Sequence, residues 1–315
     1  MSMSKPVVAF IMGPTACGKT ELAVNLAQTE KFEIISVDSA MIYRGMDIGT
    51  AKPESKVLLQ APHHLIDIRN PDESYSVAEF CNDANHLIDR IHARNKIPLL
   101  VGGTIMYFNA LQHGLSELPA ADPEVRAHID EQAQRYGWQH MHENLHVIDP
   151  QAAAKIHPND AQRIQRALEV YELTQRPLSS FHESAKSLRT DLEIINFGLM
   201  PQDRTLLHER IAQRFASMLT SGVLEELSNL RRKWTLSLDM PSMRCIGYRQ
   251  MWNYLENKVS YADMQNQAVA ATRQLAKRQL TWLRHYPETI LIDPYTNGIT
   301  ALLAQINSEI PSTKC

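Results

Sequence analysis

Of the 315 residues only four are cysteines (Cys17, Cys81, Cys245 and Cys315), and no two stand at CxxC spacing. That scatter excludes a disulfide framework and points to a reduced compartment. No apolar run approaches the roughly 18 residues a membrane span requires. The apolar start is too short and too poorly flanked for a secretory signal, so the expected location is the cytoplasm. An excess of one charge is also missing. With 32 Lys and Arg against 35 Asp and Glu the net charge is −3; global charge announces no nucleic-acid partner, and any basic surface must be local. Internal repeats and low-complexity segments are lacking as well. What is there is a globular composition, 44% hydrophobic and 21% charged, on a length that suits about two domains.

Short apolar runs (VVAFIM, EIISVD, HLIDI, IPLLVGG) alternate with helical patterns through the first part of the chain. Runs that are apolar throughout, separated by helices, predict a mostly parallel α/β sheet covered on both faces. From about Leu118 the pattern turns helical and polar. In AADPEVRAHIDEQAQRYGW, Asp122 is placed to cap a helix and Pro123 to occupy its first position. After about Ser187, LEIINFGLM resumes strand character, TLLHERIAQRFASMLTSGVLEELSNLRRKW reads as one long helical stretch, and TILID as a last strand. The expected organisation is a P-loop-like α/β core (1–117 and 191–315) interrupted by a small all-helical insertion (118–190).

GPTACGKT, residues 13–20, completes the pattern G-x-x-x-x-G-K-[ST] with Gly13, Gly18, Lys19 and Thr20, between a strand and a helix. Glycines let backbone N–H groups face a phosphate, the helix N-terminus adds its dipole, Lys19 reaches the phosphates, and the Thr20 hydroxyl can hold Mg²⁺. The loop does not say what happens to those phosphates. A P-loop NTPase carries an Asp at the end of a second apolar strand to help hold the metal; here IPLLVGGT ends in Gly102, Gly103 and Thr104. EIISVD does end in a carboxylate, Asp38, placed at the crevice of a doubly wound sheet as a metal ligand, a base, or a plain helix cap.

Near the C-terminus, AVAATRQLAKRQLTWLRHY puts Arg273, Gln274, Lys277, Arg278, Thr281 and Arg284 in one sector of about 140° at 100° per residue. Ala268, Val269, Ala271, Leu275, Ala276, Leu280, Trp282 and Leu283 fill most of the rest, which reads as core. The cationic sector is either a solvated face or a phosphate-backbone contact surface. Further basic and aromatic clusters lie at MRCIGYRQMW (243–252) and QRIQRALEVY (162–171). HENLH (142–146) satisfies H-E-x-x-H, but with thirteen histidines in the chain and no third ligand in view it reads as an amphipathic helix face.

These pieces, GPTACGKT with VDSAMIYRGMDIGTAKP, PHHLIDI, LLVGGTIMYFNALQHG, LPAADPEVR, IHPNDAQRIQRALEVY, MRCIGYRQMW and TRQLAKRQLTWLR, run in order along nearly the whole chain. Together they closely resemble the tRNA dimethylallyltransferases, the bacterial isopentenyl-tRNA transferase family. Cys17 departs from the serine usual there; a small side chain facing away from the phosphates should be tolerated. The resemblance implies transfer of a dimethylallyl group from dimethylallyl diphosphate to N6 of adenosine 37 beside the anticodon, with Mg²⁺ as cofactor and a monomer gripping the tRNA anticodon stem-loop. On that reading Gly13, Pro14, Thr15, Ala16, Cys17, Gly18, Lys19 and Thr20 hold the diphosphate as leaving group, helped by Arg214 or Arg210. Asp38 takes the amine proton and Thr104 lines the same channel. The expected RNA contacts are Asp38, Ser39, Ala40, Met41, Thr104 and Arg126, with Gln162, Arg163, Ile164, Gln165 and Arg166. Arg244, Cys245, Ile246, Gly247, Tyr248 and Arg249 join them, as do Lys277, Arg278, Thr281 and Arg284. Two other functions fit the loop: an ATP-dependent small-molecule kinase with Asp38 as the acceptor's base, and an RNA-stimulated NTPase without transfer chemistry.

Overall fold

A computed structural model describes residues 5–116, 118–184, 189–296 and 298–311. Cys315 and the end of the expected insertion, 185–188, lie outside the described residues. The chain divides into two compact units, one made of residues 1–112 and 189–315 and the other of 113–188.

The first unit is an α/β layer. Its elements before the break are β1 (Val7–Met12), α1 (Lys19–Ala27), β2 (Phe32–Val37), α2 (Ser55–Gln60), β3 (His63–His64), α3 (Val77–His92), β4 (Ile97–Gly102) and α4 (Ile105–His113). The second unit carries α5 (Pro123–Tyr136), α6 (Trp138–Ile148), α7 (Pro150–Lys155), α8 (Ala161–Thr174) and a 3₁₀ turn (Leu178–Ser184). The first unit resumes with β5 (Glu193–Leu199), α9 (Arg204–Thr220), α10 (Val223–Lys233), α11 (Tyr248–Leu255), α12 (Tyr261–Arg284), β6 (Thr289–Ile292) and α13 (Ile299–Glu309).

One six-stranded sheet of order β3-β2-β4-β1-β5-β6 has every pairing parallel. Alternate side chains of its apolar strands go to opposite cores. Val8, Phe10, Met12, Ile35 and Leu100 pack against α3, α4, α9 and α12, while Ala9, Ile11, Ile34, Leu99 and Phe197 pack against α1 and α13. A third core gathers Ile42, Tyr43 and Met46 under α9 to α12 around Leu227, Tyr248 and Met251. β1 leads by way of α1 past β4 to β2, and β4 leads the other way to β5. Their outgoing connections therefore diverge, opening a crevice beyond their carboxyl ends.

Two expected elements differ. Of HLIDI (64–68) only His64 joins the sheet, beside His63 before it, because Leu65 and Asp67 take positive φ of 64° and 57° and turn the chain out of the sheet. The expected long helix is two: α9 ends at Thr220, and Gly222 at φ 92° supplies the left-handed step before α10.

The second unit has its own core, built on Ile129, Met141, Leu145, Ile164 and Leu168. Asp122 caps α5, accepting from the N–H groups of Glu124 and Val125, with Pro123 at the first position. Glu169, fully buried, accepts from both nitrogens of the Arg126 fork at 2.8 and 3.0 Å, from Arg166 at 2.6 Å and from the Asp122 amide at 2.8 Å. In HENLH, the His142 Nε2 lies 3.1 Å from the Ala153 carbonyl and 2.8 Å from that of Ile156, so this ring tethers α7 and Ile156 to α6.

Candidate active site

Three adjacent strand ends assemble the site. β1 pairs with β4 at Met12↔Gly102, and β2 with β4 at Val37↔Gly102, so the residues that follow, Gly13, Gly103 and Asp38, emerge side by side. A β-carbon on Gly102 would strike the Val37 carbonyl; glycine there lets the strands close without a bulge.

In the 13–20 loop, Ala16 and Gly18 take positive φ (64° and 93°) and α1 starts at Lys19. Both the curled backbone and the first turn of α1 present N–H groups to an anion. The Lys19 ammonium is held by the Gly13 and Pro14 carbonyls at 3.0 and 2.6 Å, which keeps the cation over the loop. The Cys17 side chain is buried among Leu22, Leu26 and Leu199. The Thr15 N–H donates to the Gln279 side chain at 3.0 Å.

Beside the loop lies a cavity of about 620 Å³ bounded by Ala16 to Glu21 and by Arg210, Gln213, Arg214 and Ser217 of α9. The sequence leaves Arg210 and Arg214 as alternatives; both line this space. Arg210 lies over the Tyr295 ring at 4.5 Å. Burial pulls the Arg214 guanidinium below its ordinary pKa while the charge of Asp38 opposes the shift, which places a cation and a carboxylate in one electrostatic field.

Asp38 uses Oδ1 to accept from the Ala40 and Met41 amides at 2.8 and 3.2 Å. No helix follows, so the bonds form a turn rather than a helix cap; among the described residues nothing is hydrogen-bonded to Oδ2. Thr104 joins this turn, its Oγ1 accepting from the Ser39 amide at 3.1 Å and its own N–H donating to the Val37 carbonyl at 3.2 Å.

The remaining expected contacts differ in exposure; Cys245 and Ile246 are half-buried and Gly247 is buried. Gln162, Arg163, Arg244, Arg249, Lys277, Arg278, Thr281 and Arg284 are exposed. Ile164 and Tyr248 are not: both side chains are fully buried, which corrects the expectation that they reach RNA. Gln165 bonds Asp130, and Arg126 and Arg166 are ion-paired with Glu169. The wheel of α12 also needs correction, since Trp282 is 57% exposed and Gln279 only 8%. The buried stripe is Ala276, Gln279, Leu280 and Leu283, a helix rolled away from the assumed centre of its apolar face.

Sequence reasoning missed Gln279, Tyr295 and Glu226. Gln279 carried a signal, as a polar side chain at the i+3 position of an otherwise apolar stripe. The other two lie far along the chain from what they hold, and no local pattern marks them.

Residues 41–286 match the family model described as IPP transferase. The chain is 52% identical over 302 residues to the tRNA dimethylallyltransferase of Ralstonia pickettii, covering 92% of this chain and 91% of that protein. It is 49% identical over 312 residues to that of Thioalkalivibrio sulfidiphilus, covering 99% and 97%. Among solved structures, the full-length tRNA isopentenylpyrophosphate transferase of Bacillus halodurans superposes with a TM-score of 0.70 at 37% identity, covering 97% of this chain and 95% of that one. A eukaryotic dimethylallyltransferase acting on tRNA gives 0.77 at 26% identity, covering 98% and 81%.

Proposed function

We propose a function from a plain premise: the chain belongs to the IPP transferase family. It is a tRNA prenyltransferase that moves a dimethylallyl group from dimethylallyl diphosphate to tRNA. The finer reading is that the acceptor is N6 of adenosine 37 in the anticodon stem-loop, that one copy of the chain suffices, and that the enzyme works in the cytoplasm. Among the described residues no helix is long and apolar enough to cross a membrane.

The observation that carries this reading is the juxtaposition of the phosphate loop with Asp38 and Thr104 on neighbouring strand ends. A diphosphate on the loop lies beside a carboxylate without needing a metal-binding Asp on β4. A kinase with Asp38 as the acceptor's base would draw on the same arrangement; similarity to tRNA dimethylallyltransferases along nearly the whole chain favours transfer to tRNA over it. In the transfer, the bond from the allylic carbon to the diphosphate oxygen breaks, the amine nitrogen forms a bond to that carbon, and the amine loses a proton. Developing negative charge on the leaving oxygens is met by loop amides, Lys19, Arg210 and Arg214, preorganised donors that need not reorient as charge builds. The free Oδ2 of Asp38 accepts the amine proton while Oδ1 stays tied to the backbone, and Thr104 holds the Ser39 amide that shapes the same turn. A base stacked in an anticodon loop must be extruded to reach them.

Mg²⁺ fits this site in one form only. Among the described residues no three His, Cys, Asp or Glu side chains converge to hold a metal, while the Thr20 hydroxyl is exposed at the start of α1. Mg²⁺ keeps several waters and accepts phosphate oxygens, so Thr20 and the substrate would hold it between them. When bound it would neutralise charge on the leaving diphosphate.

The test is incubation with radiolabelled dimethylallyl diphosphate, Mg²⁺ and tRNA lacking the modification. Label in the tRNA is expected; no label in RNA, together with hydrolysis of ATP, would overturn the reading.

A further inference from the structure

Gln279 lies on the buried face of α12, yet both ends of its amide are engaged at the crevice. Its Oε1 accepts the Thr15 N–H at 3.0 Å and its Nε2 donates to the Gly103 carbonyl at 2.8 Å. Thr15 belongs to the phosphate loop after β1, and Gly103 precedes Thr104 in the turn after β4. A single side chain thus spans the two loops whose divergence opens the crevice. The neighbouring bonds extend the link: the Thr104 N–H donates to Val37, the residue before Asp38, and the Thr104 hydroxyl accepts from Ser39, the residue after it.

Space is equally committed. A β-carbon on Gly103 would collide with Gln279 Nε2, and its next neighbour, the Gly13 carbonyl, would be 3.4 Å away. No positive φ marks Gly103, so a side chain there is opposed by the glutamine amide in its present place and not by a left-handed turn.

We propose that Gln279 is a positioning residue that sets the separation between the diphosphate loop and the Thr104–Asp38 side of the site. It does not line the cavity beside the loop. Its amide is suited to the task because it offers a donor group and an acceptor group in one plane, here set against one N–H and one C=O on separate loops. Isosteric Glu cannot donate to Gly103 when ionised, and Met can do neither. This inference rests on the prenyl-transfer reading for its kinetic consequence, but the effect on the loop is measurable without any transfer.

The deciding set is wild type, Gln279→Met, Gly103→Ala, Gln279→Ala and the double variant that joins Gln279→Ala to Gly103→Ala. Affinity for inorganic diphosphate with Mg²⁺ is read by calorimetry, kcat from labelled dimethylallyl diphosphate and unmodified tRNA, and tRNA affinity by filter binding. In Gln279→Met, diphosphate affinity should fall about tenfold through loss of two loop-ordering bonds. Its kcat should fall about 100-fold, the scale expected for reacting groups misplaced by an ångström, with tRNA affinity unchanged. Gly103→Ala should reproduce both losses in the wild-type background and cost almost nothing when added to Gln279→Ala, because the colliding amide is gone. If Gln279→Met does not fold, Gln279→Glu takes its place, with the same direction expected. Diphosphate affinity and kcat both unchanged, or a Gly103→Ala cost that is the same in both backgrounds, would overturn the proposal. A wild type that binds diphosphate but leaves tRNA unlabelled would instead overturn the prenyl-transfer reading, and the diphosphate measurements would still judge Gln279.

Discussion

The hydroxyl of Tyr248 donates to Glu226 at 2.6 Å, and that carboxylate also accepts the backbone N–H groups of Asp47, Ile48 and Gly49 at 2.7 to 3.1 Å. One side chain on α10 thus organises the segment that follows the Asp38 turn. Lys52 locks the far end of that segment, donating to the Tyr43 carbonyl and pairing with Asp47 and Asp67 while only 3% of its side chain is exposed. Loss of the hydroxyl in Tyr248→Phe removes a bond to a charged acceptor and should cost about 1.5–3 kcal/mol. Gly49→Ala would put a β-carbon 2.5 Å from the Tyr248 ring and should cost about 1–3 kcal/mol by overpacking. Urea denaturation midpoints check both; midpoints like that of wild type would mean that the segment is held by other interactions.

Asp38→Asn separates the two uses of that side chain. Asn keeps an oxygen for the Ala40 and Met41 amides but cannot take a proton. Turnover should fall by about 10²–10⁴-fold with thermal stability and tRNA affinity unchanged. An Asn variant that retains wild-type turnover would reduce Asp38 to a turn-former.

On α12, Lys277→Ala combined with Arg284→Ala should weaken tRNA binding and lower the slope of log K against log salt by about 2, one unit for each phosphate that is no longer neutralised. Binding measured from low to moderate salt checks this, and an unchanged slope would return the face to simple solvation.

Acid should loosen the helical unit through Glu169. Burial alone would push its carboxyl up, but the bonds from Arg126 and Arg166 and the Asp122 amide prevail and hold it below the ordinary value. A lowered folded-state pKa means that the ionised form is favoured by folding, so its contribution is full above the unfolded value near 4.5 and disappears as pH falls through the folded one. In Glu169→Gln that part of the acid dependence should vanish, and stability at neutral pH should drop by roughly 3 kcal/mol as two arginines lose their partner. Unfolding curves between neutral pH and about pH 3 read both effects.

Much of the architecture was legible locally. Apolar strands of about six residues, GPTACGKT at a strand-to-helix junction, and Asp122-Pro123 at a helix start are short-range patterns whose physics is complete within a few residues, and the structure has each of them. Asp38 could be named because strand ends in a parallel sheet converge on one edge; Thr104 came from the resemblance to the transferase family. Other features were hidden for identifiable reasons. A helical wheel says which residues share a face but not how far the helix rolls when it docks, so it puts Trp282 in the core and overlooks Gln279. HLIDI has the composition of a strand, but left-handed backbone at Leu65 and Asp67 ends the pairing at His64.

The sequence by itself determined the chemistry at hand: a phosphate-binding loop, a carboxylate beyond a neighbouring strand, a cationic helix and the order of strands and helices. These follow from backbone geometry and side-chain type over short spans. Only the tertiary structure decided which groups hold that chemistry in place. Gln279 reaches Thr15 across 264 positions, and Glu226 reaches Gly49 across 177. Such bonds form because packing of the sheet and its covering helices leaves backbone donors and acceptors that must be satisfied where water is excluded, a constraint that exists only once the chain has folded.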